Sequence, residues 1–236
     1  ISTGLTILGS GTITTTANTG VSTITLGTGD FSNITLSHAS SNTLTLNGST
    51  GYKLGKLTNT VSPTTINIQS NGTHSIGNLS LNGTAGNLVT IAPTIAATTY
   101  TLKSETGWAH KCSYCSISYA TATTTATDGT AVVWRFTNST NGTGNTNLTF
   151  PTIYYWVGGT GTWDAVTTTN WSLSSGGAGN AGPPTANDNV VFDSNSGTGT
   201  VTFSGVPVSY DATIGGTGIT FAGTIQIYFS GSLNIL

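Results

Sequence analysis

Charge is almost missing from this chain. Twelve of its 236 residues are ionised at neutral pH, five Lys or Arg and seven Asp or Glu. That is 5% of the chain, against about 25% in an ordinary soluble domain. Five scattered cations give no basic face to neutralise phosphates, so nucleic acid is not expected as a partner. Met is absent, Gln occurs twice, and Glu and Arg once each, so strong helix formers are scarce. No run of about 18 apolar residues occurs, so no helix is expected to span a membrane and no membrane partner is expected. Two cysteines, Cys112 and Cys115, are too few for a disulfide framework. The sequence starts at Ile1 without Met or a charged-then-apolar stretch, and it is expected to be a processed product or a segment of something longer.

What is abundant is Thr (51), Gly (32) and Asn (20). Thr, Val, Ile and the aromatics favour strands, and the chain is expected to be all-β. Ile24-Thr25-Leu26, Ile34-Thr35-Leu36 and Leu44-Thr45-Leu46 follow one another at ten-residue spacing. Ile66-Asn67-Ile68, Leu79-Ser80-Leu81 and Tyr100-Thr101-Leu102 continue the series less regularly. Each unit has the two-residue period of a half-buried strand. Asn47-Gly48, Asn71-Gly72 and Asn82-Gly83 supply turn residues between them.

The inward positions are small, aliphatic and interchangeable. That favours a β-solenoid resembling a parallel β-helix, elongated along one axis, in which each coil buries an aliphatic ladder against the next. The alternative is a set of β-sandwich domains, which use strands with more individual roles. Residues 1–150 are read as solenoid coils, 151–198 as a Trp- and Gly-rich insertion, and 199–236 as further solenoid strands. The last include Val201-Thr202-Phe203, Ile219-Thr220-Phe221, Ile225-Gln226-Ile227 and Leu233-Asn234-Ile235. Reading Leu236 straight into Ile1 continues the pattern, and neither end carries a polar cap. The chain is therefore expected to be one unit of a longer array. Its partner would be itself, as a head-to-tail homopolymer or through neighbouring repeats.

Two segments carry a resemblance. Residues 154–193 run Tyr154-Tyr155-Trp156-Val157-Gly158-Gly159-Thr160-Gly161-Thr162-Trp163-Asp164, then Asn170-Trp171-Ser172, Pro184-Thr185 and Asp188-Asn189-Val190-Val191-Phe192-Asp193. Residues 112–145 contain Cys112-Ser113-Tyr114-Cys115-Ser116-Ile117-Ser118-Tyr119, Trp134, Asn138-Ser139-Thr140 and Gly144-Asn145. Together they resemble segments of repetitive β-helical fibre and adhesin proteins of tailed phages and bacterial surfaces. Where those blocks end in an aromatic pair after Asn-Thr-Gly, this chain has Asn145-Thr146-Asn147-Leu148-Thr149-Phe150. The resemblance implies a fibre, shaft or adhesin and does not imply an enzyme.

Candidate chemistry is sparse. Cys112 and Cys115, with His110 nearby, are half of a zinc site at most, since a structural site needs four ligands. A redox dithiol needs a helix N-terminus, which this composition does not supply. Two inert core or turn residues is the favoured reading. Asp164, Asp188 and Asp193 are favoured as turn caps over a calcium site or a glycosidase pair. No Gly-x-Ser-x-Gly elbow occurs. Gly158-Gly159-Thr160-Gly161 lacks the Lys and helix of a phosphate loop. Tyr154, Trp156, Trp163 and Trp171 are candidate carbohydrate contacts, with a buried aromatic plug the favoured reading. Nine Asn-x-Ser/Thr sequons exceed chance too little to argue for glycosylation.

These observations lead to a non-enzymatic structural protein with no metal or cofactor. It is expected outside the cell, on a cell surface or in a virion, building a fibre by end-to-end stacking of solenoid units. The alternative is a carbohydrate- or receptor-binding adhesin or tail-fibre module, with surface glycans as its partner.

Overall fold

The computed structural model describes residues 10–16, 20–48, 51–107, 110–216, 218–223, 228–229 and 231–236. The pattern expected across Ile1–Leu8 and the strand expected at Ile225–Ile227 lie outside these. Among the described residues the chain is all-β, and its strands pair in parallel from coil to coil. It is a β-solenoid, not a sandwich. Two units, Ile1–Phe150 and Pro151–Leu236, form separate compact bodies.

In the first unit the strands are β1 (Gly11–Thr15), β2 (Ser22–Thr25), β3 (Asp30–His38), β4 (Thr43–Asn47), β5 (Lys53–Asn59), β6 (Thr64–Ile68) and β7 (Thr73–Ser80). They continue as β8 (Val89–Pro93), β9 (Tyr100–Lys103), β10 (His110–Ser113), β11 (Cys115–Ile117), β12 (Ala120–Ala122), β13 (Trp134–Thr137) and β14 (Thr140–Asn141). One sheet runs β1-β3-β5-β7-β9-β12, and a second runs β2-β4-β6-β8-β11-β14. β10 pairs with β13, and Asn82, just beyond β7, bridges in parallel to Ser113 at the end of β10.

The ten-residue sequence period is thus half a coil. Ten residues carry the chain from one sheet to the other. Return to the same sheet takes 22, as in the register partners Ser22 with Leu44, Leu44 with Ile66, and Leu57 with Leu79.

Alternation fixes what each strand buries. In β4 and β6 every second residue is buried, giving the inward column Leu44–Ile66–Ile91–Ile117. The other sheet contributes Leu36–Leu57–Leu79. These side chains are at most 2% exposed. Each contributes about 1.5–3 kcal/mol relative to an exposed position. Outside, Thr43, Thr65, Thr90, Ser116 and Thr140 stand in register. At one corner the neutral polar residues bond directly along the stack. Asn59 Nδ2 donates to the Asn82 carbonyl at 2.9 Å, and the Asn82 amide returns a 2.8 Å bond to Asn59 Oδ1. Ser113 Oγ then donates to Asn82 Oδ1 at 2.9 Å.

β5 and β7 bend in their middles. Leu54 and Leu57 are both buried with Gly55-Lys56 between them, and Ile76-Gly77-Asn78-Leu79 repeats the pattern one coil on. A side chain is excluded at the bend: a Cβ on Gly77 would lie 2.6 Å from the Gly55 carbonyl oxygen. β3 carries extra residues at the same place, and its register with β5 shifts between Phe31 and Thr35.

The second unit contains β15 (Ile153–Trp156), β16 (Gly161–Trp163), β17 (Trp171–Ser172), β18 (Asn189–Phe192), β19 (Gly199–Phe203), β20 (Val208–Ser209), β21 (Ala212–Ile214), β22 (Ile219–Ala222), β23 (Tyr228–Phe229) and β24 (Leu233–Ile235). Its coils are also close to 22 residues, with Val190 opposite Ala212 and Ala212 opposite Leu233. Ile153 pairs with Asn189 because residues 164–188 interrupt the first coil. Within that interruption β17 folds back antiparallel onto β15. Trp156 and Trp163 therefore belong to coil strands, and Trp171 alone to the interruption.

Candidate functional site

The aromatic segment offered for carbohydrate contact is the core of the second unit. Trp156, Trp163 and Trp171 are each at most 1% exposed. Trp171 meets Trp156 and Trp163 edge-on at 5.1 and 5.2 Å between ring centres. Phe192 is the hub, with its ring 5.0–5.8 Å from those of the three indoles and Phe221. Trp156 Nε1 donates to the Gly159 carbonyl at 3.1 Å. Buried indole faces cannot stack on a sugar, so these three side chains are packing residues in the folded chain. Tyr154 is half-buried and packs on the same cluster, and burial followed by the charge of Asp188 raises its phenol above the ordinary value.

Three of the four carboxylates of this unit, Asp164, Asp188 and Asp193, close turns. Asp164 Oδ1 accepts from the Val166 amide at 2.9 Å and the Thr167 amide at 2.5 Å. Asp188 takes the Thr152 amide at 3.0 Å on Oδ1, and the Thr185 amide and hydroxyl at 2.9 and 2.6 Å on Oδ2. It thereby ties the end of the interruption to the start of β15. Asp193 Oδ1 accepts from the Asn195 amide at 2.9 Å.

Cys112 and Cys115 are free thiols, both buried. Tyr114, with φ of 51°, turns the corner between β10 and β11, so both sulfurs face the core although they are three residues apart. Cys115 Sγ lies 3.5 Å from the Leu81 and Ser113 carbonyls. A hydrogen bond with Cys112 and then burial raise its pKa strongly, which disfavours the Cys115 thiolate. His110 stacks on Trp134 at 3.6 Å with planes 5° apart, and its Nδ1 accepts the Leu79 amide at 3.1 Å. No group of three His, Cys, Asp or Glu side chains converges on a common point among the described residues.

The other two histidines are also fixed by the backbone. His38 Nε2 donates to the Asn42 carbonyl at 2.8 Å, and its Nδ1 accepts from Thr15 Oγ1 at 2.7 Å. His74 Nε2 donates to the Gln69 carbonyl at 2.7 Å, and burial lowers its pKa.

Sequence reasoning missed the place where charge concentrates. Asp30, Lys53, Ser75 and Lys103 are register partners on successive coils of the first unit. Thr35, Lys56 and Asn78 form a second column across the Gly55–Gly77 bend. Two recesses, about 410 and 340 Å³, open over these columns and share Lys53 and Glu105. Lys53 Nζ pairs with Glu105 Oε2 at 3.3 Å. The Ser75 hydroxyl, and less strongly Lys53, hold Glu105 below the usual carboxylate range against the burial that raises it. Three of the four lysines and the only glutamate meet here. The one signal in the sequence was their confinement to residues 53–105.

No protein-family model, curated protein or solved structure matches this chain.

Proposed function

We propose that the chain is a structural element whose coils stack into a fibre or shaft, carried outside the cell, on a cell surface or on a virion. The observation that supports this most directly is the parallel register carried from coil to coil in both units, with inward columns such as Leu44–Ile66–Ile91–Ile117 in the first and Phe192–Ile214 in the second. Each strand buries its aliphatic positions against the next coil, and the same contact can be repeated between neighbouring repeats or copies. On β24, Leu233 and Ile235 are 46% and 74% exposed. The resemblance of residues 112–145 and 154–193 to fibre and adhesin segments points the same way. In this reading the protein needs no catalysis and no cofactor.

The test is assembly. Native particles should show an axial repeat of about 4.7–4.9 Å by fibre diffraction. The isolated chain should sediment as polymers that Leu233→Lys with Ile235→Lys converts to monomers. A chain that stays monomeric at every concentration, together with native particles lacking the repeat, would overturn the proposal.

The second reading, a glycan- or receptor-binding module, loses its support from the buried indoles. It gains support from the charged recesses of the first unit.

A further inference from the structure

We infer that the trough formed by the two recesses on the first unit binds a carboxylate-bearing oligosaccharide, with Lys56 and Lys103 meeting its acidic groups. The inference does not rest on assembly into a fibre, because a single copy carries the whole trough.

Lys56 and Lys103 carry the first part of the case. Both are half-buried, one in each recess, and among the described residues neither has a hydrogen-bond or ion-pair partner. A cation partly withdrawn from water without a carboxylate in ion-pair contact is uncommon in a chain with only five. Between them the Lys53–Glu105 pair satisfies itself and forms the shared wall.

The floor and walls carry the second part. Gly55 and Gly77 line the larger recess at the bend, where a Cβ on either would strike the backbone of the preceding coil. Ser32, Asn33, Thr35 and Asn78 line it with hydroxyls and amides. These are the donors and acceptors that sugar hydroxyls require, and each recess is within the size of a small-ligand site.

Spacing and sign then select the ligand. Lys56 lies on β5 and Lys103 on β9, two coils apart with β7 between, or about 10 Å along the stack. A chain of sugar rings bearing carboxylates at intervals can reach both. A densely charged polyanion fits poorly, because Asp30 and Glu105 also line the trough and leave it with one net positive charge. No tryptophan lines either recess, so charge and hydrogen bonds, not stacking, would carry the affinity.

Calorimetric titration of the intact chain at low salt tests this, with hexamers of galacturonate, mannuronate and glucuronate as probes. Their methyl esters serve as neutral controls and inorganic polyphosphate as the dense polyanion. At least one uronate hexamer should bind, with its ester about tenfold weaker. Lys56→Ala and Lys103→Ala should each weaken binding about fivefold, and the double variant more than either. Lys111→Ala, on a different strand outside the trough, should change nothing. All three lysines are on the surface side of their strands, and an unchanged thermal melt verifies that each variant is folded. Failure of all three hexamers to bind would overturn the proposal. So would binding indifferent to Lys56 and Lys103, or polyphosphate binding more tightly than any uronate.

Discussion

At the scale of single residues, His110 is a base that the fold keeps neutral. Burial pushes its pKa down to about 4, from an ordinary 6.5. Protonation would place a charge beside Trp134 and remove the acceptor of the Leu79 amide. The unfolded chain takes up this proton below pH 6.5 and the folded chain only near pH 4. Stability is therefore full above pH 6.5 and falls as the pH drops through that window, by on the order of 3 kcal/mol. His74, also lowered by burial, adds to the loss in the same direction. Urea unfolding at pH 7.5, 6, 5 and 4.5 should show the decline. His110→Phe should be less stable at pH 7.5 but lose less on acidification. An equal slope in both proteins would contradict this assignment.

At the scale of elements, the coils are held together by register, and the Asn59–Asn82 exchange is its clearest polar contact. Asn59 is 8% exposed and also donates to the Val61 carbonyl at 3.0 Å. Asn59→Ala leaves the Asn82 amide without its acceptor and should cost about 1–3 kcal/mol. Hydrogen exchange at the Asn82 amide should accelerate, while that of Leu44 and Ile66 in the other sheet stays slow. The strands themselves were legible in the sequence, because Ile24-Thr25-Leu26 and its successors alternate as half-buried strands do. The solenoid was legible too, from the small interchangeable aliphatic positions, but its 22-residue coil was not, since alternation identifies a strand without saying which sheet receives it. Nor was the trough legible. Lys53 and Lys103 are fifty residues apart, and longer loops in the later coils break the 22-residue spacing that would have aligned them. The Trp cluster was legible as packing, but its hub was not. Phe192 sits in an ordinary Val-Val-Phe strand, and only the fold brings three indoles around it.

At the scale of the whole molecule, the two units bury separate sets of residues, one aliphatic around Leu57 and one aromatic around Phe192. Trp163→Ala should cost about 3–5 kcal/mol and Leu57→Ala about 2–5 kcal/mol, each lowering the unfolding transition of its own unit. Denaturant titration followed by amide exchange, which reports both units separately, should show the two losses without crossover. A loss that spread equally through residues 10–150 and 151–236 would mean that the chain unfolds as one block. Parallel pairing has a further result under load. Within each unit, hydrogen bonds between successive coils point along that unit's own stack, so a pull along that direction strains its interfaces in series. The weakest turn then gives way alone, releasing about 22 residues, or some 70–80 Å of slack, while its neighbours hold. Such a protein would yield in measured steps, dissipating a sudden tug instead of transmitting it whole.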